Sequence, residues 1–278
     1  MNKLISALFC FWLSFIIPER VYSQTICDFV KKVQDYQGSV KLRKQSKTIV
    51  LDSTTFNIDS YLGMFNKLKL DSDKICRVYY EYFLLYGKPI IYVTSKSFNL
   101  TEYIERITQK RLNEKSPIPY LKINEKLNYE DVKQYNMARF AKNEEGRAQN
   151  NLIPENSEEG FFQFLLFYVI GEQFALIGHS NLDQKIVLCT RQHVNAEIEK
   201  YSNYELTNLN RKQLKVLLNT DPTPIIKLNE SICSITWYEL EPYHGLFQKT
   251  YIIERNSPFR VKETKKNLIF SITPDIEY

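Results

Sequence analysis

Residues Phe161 to Thr190, FFQFLLFYVIGEQFALIGHSNLDQKIVLCT, form the most apolar stretch beyond the N-terminus, and any fold for this chain has to bury them. A membrane span needs roughly 18 or more apolar residues. Phe161–Gly178 reaches that length, but Gln163, Glu172 and Gln173 interrupt it, and a charge inside a bilayer is costly. A buried helix is a second solution. The breaks at Gly171-Glu172 and at Ser180-Asn181-Leu182-Asp183 carry turn chemistry. The spacing therefore predicts a meander, with strands Phe161–Ile170, Gln173–His179 and Lys185–Thr190. Strands with nearly continuous apolar runs are covered on both faces, so helices or a second sheet should lie over this one.

The rest of the chain alternates helical and strand patterns. Ile26, Phe29, Val30 and Val33 recur at helical spacing. Val40–Leu51 reads as a half-exposed hairpin turning at Lys44–Lys47, and Leu62, Phe65 and Leu68 as a helix capped by Asp59 or Ser60. Cys76–Ser95 is an apolar hairpin turning at Tyr86-Gly87-Lys88, where Pro89 should start a strand or lie on an edge. Helices follow at Leu100–Leu112, with Asn99 and Glu102 as a capping box, and at Tyr129–Lys142. Beyond the central stretch, Arg191–Tyr201 and Glu205–Leu218 read as helices. Pro224–Leu228, Ile232–Leu240, Leu246–Glu254, Phe259–Glu263 and Leu268–Ile272 read as strands. This pattern predicts an α+β fold with a large antiparallel sheet and several helices packed on it. The polar segment 143–159, NEEGRAQNNLIPENSEE, divides an N-terminal half (24–142) from a C-terminal half (160–278) as a loop or linker. FLLYGKPIIYVTS and FYVIGEQFALIGHS share an order of strand, Gly turn and strand, which raises the possibility of two related halves.

Residues 1–23 read as a cleaved export signal. Lys3 opens it, Leu4–Ile17 is uncharged and apolar, and Val21-Tyr22-Ser23 is a small-x-small site before Gln24. The expected location is secreted or periplasmic, with no membrane span in the mature chain. Four cysteines then remain, Cys27, Cys76, Cys189 and Cys233, which predicts two disulfides. Four cysteines allow three pairings, and pairing within each half favours Cys27–Cys76 and Cys189–Cys233. Neither a CxxC spacing nor an HExxH occurs, and no metal or cofactor is expected. With only 8 glycines there is little material for a phosphate-cradling loop. The net charge of +5 is mild, and no nucleic-acid-binding motif accompanies it. Lys31, Lys32, Lys41, Arg43, Lys44 and Lys47 cluster early, as a solvated face or as a contact for an acidic partner or a membrane surface. Asn99 and Asn229 open N-glycosylation patterns.

Chemistry has few candidates. His179 is followed by Ser180 and Asp183, but neighbours in one turn cannot make a triad by themselves, and GHSNLD lacks the nucleophile-elbow pattern. His193 and Glu197 share a helix face without a third ligand. The densest aromatic and acidic cluster is WYELEPYHG. On a strand, Trp237, Glu239 and Glu241 would share one face. Paired carboxylates beside aromatics suit glycosidic chemistry, and Trp237, Tyr238, Tyr243 and His244 suit a binding platform for a protein or a glycan. The residues thus point to a non-catalytic, macromolecule-binding exported protein. The alternative is a secreted, glycan-directed hydrolase using Glu239 or Glu241, with His179 as a further candidate.

Overall fold

The structure, a computed structural model, describes residues 24–45, 48–83, 86–115, 129–202 and 210–272. The expected signal at 1–23 lies outside these residues. In chain order the first elements are α1 (residues 24–39), β1 (Leu42–Gln45), β2 (Thr48–Leu51), α2 (Ile58–Met64), β3 (Leu68–Lys69), β4 (Lys74–Phe83), β5 (Tyr86–Ser95), α3 (Leu100–Asn113) and α4 (Tyr129–Ala141). Next come α5 (Ala148–Asn151), β6 (Ile153–Pro154), α6 (Glu158–Ile170), β7 (Ile177–Gly178), β8 (Ile186–Leu188), α7 (Arg191–Ser202) and α8 (Arg211–Asn219). The chain continues through β9 (Ile225–Leu228), β10 (Ile232–Glu241), β11 (Gly245–Glu254) and β12 (Val261–Ser271). The fold is α+β, and its strand pairings are antiparallel. The β-structure is shared among sheets of five, three, two and two strands.

Two compact units share the chain. One comprises residues 1–39, 156–170 and 182–278, and the other 40–155 and 171–181. The faint similarity of the halves does not survive, because its second copy is not a hairpin. Phe161–Ile170 belongs to helix α6, which corrects the meander. The reason lies just upstream. Ser157 caps the helix by accepting from the Gly160 N–H (3.1 Å), and Glu158 and Glu159 follow in the first turn, where the helix dipole favours acids. Phe161, Phe162, Phe164, Leu165, Leu166, Phe167 and Ile170 are all buried, so this helix is apolar on every side, as a core helix is.

In the first unit, β10 is the central strand. β11 and then β12 lie on one side of it, and β8 and β9 both pair with its other edge. Phe162 of α6 meets Trp237 on one sheet face edge-to-face at 5.7 Å. On the opposite face Leu188, Leu240 and Leu246 pack with Val194 of α7 and Leu217 of α8. Both faces are therefore covered, as the continuous apolar runs require. The segment read as separate strands Phe259–Glu263 and Leu268–Ile272 holds the single strand β12, which absorbs two register shifts against β11. Gly245 sits at φ +135°, and a Cβ there would stand 2.0 Å from the Phe270 carbonyl oxygen, so only glycine fits.

In the second unit, β4 and β5 form the expected hairpin, but Tyr86, Gly87 and Lys88 are not its turn: they belong to β5, and Phe83 pairs with Tyr86. β7 pairs only with Tyr86 and Gly87, which leaves β5 an edge strand at Pro89, where the missing N–H does no harm. β1 and β2 form the early hairpin. Asn57, not Asp59 or Ser60, caps α2. Asn99 caps α3 by accepting from the Glu102 N–H, but Glu102 accepts from the Asn99 side-chain amide rather than its backbone N–H. The expected capping box is therefore only half made, and the full box occurs instead at Asn210 and Gln213 of α8. The polar 143–159 segment is not an irregular linker. It holds a 3₁₀ turn at Glu144–Gly146, α5, and β6 paired with β3, and it ends in the cap of α6. The early basic run is divided between the two units, with Lys31 and Lys32 on α1 and Lys41, Arg43 and Lys44 at β1.

The disulfide is Cys27–Cys189, while Cys76 and Cys233 are buried free thiols. This corrects both expected pairs. Cys27 on α1 belongs to the same unit as Cys189, whereas Cys76 belongs to the other. Burial pushes both free thiols up to about 12, which keeps them unreactive. Among the described residues no helix is long and apolar enough to cross a membrane. Peptide mapping under non-reducing conditions is expected to join the Cys27 and Cys189 peptides and to leave Cys76 and Cys233 open to alkylation after unfolding. Reducing the bridge should lower urea stability by about 2–5 kcal/mol, because it closes a long loop. An unchanged midpoint would argue against the pairing.

Candidate functional site

The β10–β11 hairpin gathers the residues that the sequence singles out. Its turn, Pro242–His244, sets a register that pairs Trp237 with Lys249, Glu239 with Phe247 and Ile235 with Tyr251. With period two, Trp237, Glu239 and Glu241 project from one face of β10, and Lys249 and Tyr251 from the same face of β11. The shared face expected for the three β10 residues is the one observed, but it points into the protein. Trp237 and Glu239 are 0% exposed, Lys249 2% and Glu241 7%.

A buried charge requires a partner. Here the partners are complete. The Lys249 ammonium donates to Glu239 Oε2 and to Glu241 Oε1, each at 2.6 Å. The other Glu239 oxygen, Oε1, accepts from the Trp237 indole N–H (2.7 Å) and the Tyr251 hydroxyl (2.6 Å). From β12, Glu263 lies 3.7 Å from Lys249, and Lys266 lies 3.8 Å from Glu241. Lys266 also covers the Phe247 ring, 4.1 Å from its centroid, as a cation does on an aromatic face. Charges therefore alternate from Glu239 through Lys249 and Glu241 to Lys266, with only the last near solvent.

Burial pulls the Lys249 ammonium toward its neutral form, but the Glu239 and Glu241 carboxylates outweigh it and hold its pKa above the usual lysine value. Burial, followed by the Glu239 charge, pushes the Tyr251 phenol far above its ordinary range. Both groups keep their protons, so the hydroxyl remains a donor and the ammonium remains a cation.

The remaining candidates do not join this cluster. Tyr238 projects from the opposite face of β10, against the α7–α8 core, and accepts from Gln248. Tyr243 is half-buried and His244 exposed in the hairpin turn, where the His244 N–H donates to the Glu241 carbonyl. His179 is exposed at the start of a 3₁₀ turn in the other unit, and Ser180 is spent on the Gly87 N–H. His193 Nε2 lies 4.0 Å from Glu197 Oε1, a single pair on α7. Among the described residues no group of three or more His, Cys, Asp or Glu gathers as a metal site would.

Sequence reasoning missed Lys249. Its signal was present: a lysine at an inward position of the apolar run LFQKTYII demands a buried counter-charge across the hairpin. It also missed Glu172, which accepts from the Ile91 N–H and pairs with Arg147 in the second unit; burial raises its pKa despite the arginine. Comparison with family models, with curated proteins and with solved structures finds no match.

Removing Lys249 alone takes the ammonium from the buried Glu239 and leaves Glu241 with Lys266 at 3.8 Å. Lys249→Met should cost about 3–5 kcal/mol, and Glu239→Gln in the same chain should restore part of that loss. Purely additive losses in urea unfolding would show that the pair is not coupled. Groups with raised pKa values stabilise the fold below their unfolded values and lose that contribution as pH rises toward the folded ones. Wild-type stability should therefore fall above about pH 10, the unfolded range of tyrosine and lysine, and more steeply than in Lys249→Met. Parallel curves would remove Lys249 from the effect.

Proposed function

We propose that this chain is an exported, non-catalytic protein that binds another macromolecule. The observation that carries the reading is the fate of the best catalytic candidates. Glu239 has no exposed surface, and Glu239 and Glu241 share the Lys249 ammonium, with Lys266 a second cation 3.8 Å from Glu241. A glycosidase needs two carboxyl groups facing a substrate, one as acid and one as base or nucleophile. Glu239 is instead saturated by Lys249, Trp237 and Tyr251, and Glu241 joins Lys249 of β11 and Lys266 of β12, so the carboxylates tie strands together rather than face a substrate. The disulfide supports the exported part of the reading, since such bridges persist in oxidising compartments. The signal pattern at 1–23 supports it too.

The mature, oxidised protein is expected to give no turnover on glycan, peptide or ester panels. Turnover that disappears in a folded Glu239→Gln variant would restore the hydrolase reading. Immobilised, the same protein should retain a saturable macromolecular partner from the medium or envelope of its own cells. Retention of none, at physiological salt, would sink the binding reading.

A further inference from the structure

The second unit carries a preformed groove of about 640 Å³ between α3 and α4. That volume lies within the range of about 300–1,000 Å³ usual for ligand sites. Its floor is fixed: Asn136 of α4 is buried and donates to the buried Thr108 of α3 at 3.2 Å. Among the described residues its lining includes Lys110, Arg111 and Arg139 and one acid, Glu114, which lies 3.9 Å from Lys110. One ring holds both guanidinium groups, since Arg111 and Arg139 lie 5.0 and 6.0 Å from the Tyr135 centroid. Arg139 is exposed and meets no carboxylate among the described residues.

We propose that this groove docks an acidic segment of a partner protein. The inference rests on the macromolecule-binding reading and gives that reading a surface and a partner chemistry. Paired guanidinium groups are the best protein donors to carboxylates, because the planar fork bonds both oxygens at once. Stacking on Tyr135 lowers the freedom each arginine loses on binding. The aromatic residues of the groove argue against a sugar. Phe140 is stacked on Phe98 at 5.6 Å and lies 5.5 Å from Tyr103, whose ring in turn carries the Arg106 guanidinium at 5.7 Å. Ring faces occupied in this way offer no open platform for a pyranose. What remains to the occupant is a half-buried apolar strip bounded by cations, which fits glutamate side chains interleaved with apolar ones.

The test uses the whole mature protein and a fluorescent peptide of about twelve residues alternating Glu with Leu, long enough at about 3.3 Å per residue to cross the groove. Fluorescence anisotropy should show saturable binding that weakens between about 50 and 300 mM salt. Arg111→Glu/Arg139→Glu should weaken it by about tenfold or more. Lys262→Glu/Lys265→Glu on β12, which changes net charge equally, should leave it within about twofold. Equal loss in both variants would reduce the effect to net charge and overturn the groove. So would peptide binding that survives Arg111→Glu/Arg139→Glu, or a preference for uronate oligosaccharides over the peptide. If the Arg111→Glu/Arg139→Glu variant still retains the partner captured from its own cells, the groove is wrong while macromolecule binding stands. If the wild type captures nothing, the broader reading fails by itself.

Discussion

One ammonium in a dry place, Lys249, sets the terms for the five-stranded sheet. A lysine there is tolerable only because Glu239 and Glu241 arrive from the neighbouring strand at hydrogen-bond distance. Glu239 is tolerable because Trp237 and Tyr251 satisfy the oxygen the ammonium leaves open, and Glu241 has Lys266 of β12 3.8 Å away. Buried ion pairs of this kind contribute little net stability compared with apolar packing of the same volume. Their value is discrimination. A slip of one residue between β10 and β11 would turn the lysine to one face and its carboxylates to the other. The cluster thus makes wrong registers expensive in a hairpin whose remaining residues, largely aliphatic and aromatic, would pack acceptably in several.

The neighbouring features serve the same alignment. Gly245 closes the hairpin where any side chain would strike the Phe270 carbonyl. β12 reaches its partner through two register shifts, which bring Glu263 and Lys266 to the ends of the charge row. α6 then covers the row with Phe162 against Trp237, and the aromatic lid excludes the water that would screen it.

Much of this was legible in the residues, and the failures have specific physical causes. The period of two along β10 correctly put Trp237, Glu239 and Glu241 on one face, and the cap at Asn99 marked the start of α3 within a residue. Direction was the error on β10: aromatic and acidic residues together looked like a surface, while the partner that makes them a core lay at Lys249, beyond the turn. On α6, composition misled. Phe, Tyr, Val and Ile favour strands in general, yet the decisive residues, Ser157, Glu158 and Glu159, sat in a stretch set aside as linker. The cysteines failed for another reason. Pairing by proximity along the chain assumes consecutive halves, and here the two partners are 162 residues apart.

That separation bears on how the molecule is made. Neither unit is a continuous piece of chain, and the second lies wholly between Cys27 and Cys189. As the polypeptide emerges from N- to C-terminus, every residue of the second unit is present by Asn181, before Cys189 appears. The first unit must wait for β10 to β12. An oxidant acting before Cys189 appears can join Cys27 only to a non-native mate, and a bond to Cys76 would cross from one unit to the other. The native bridge becomes available once the enclosed unit is complete, so late oxidation favours the correct cross-link and early oxidation the wrong one. No single proteolytic cut can release either unit whole.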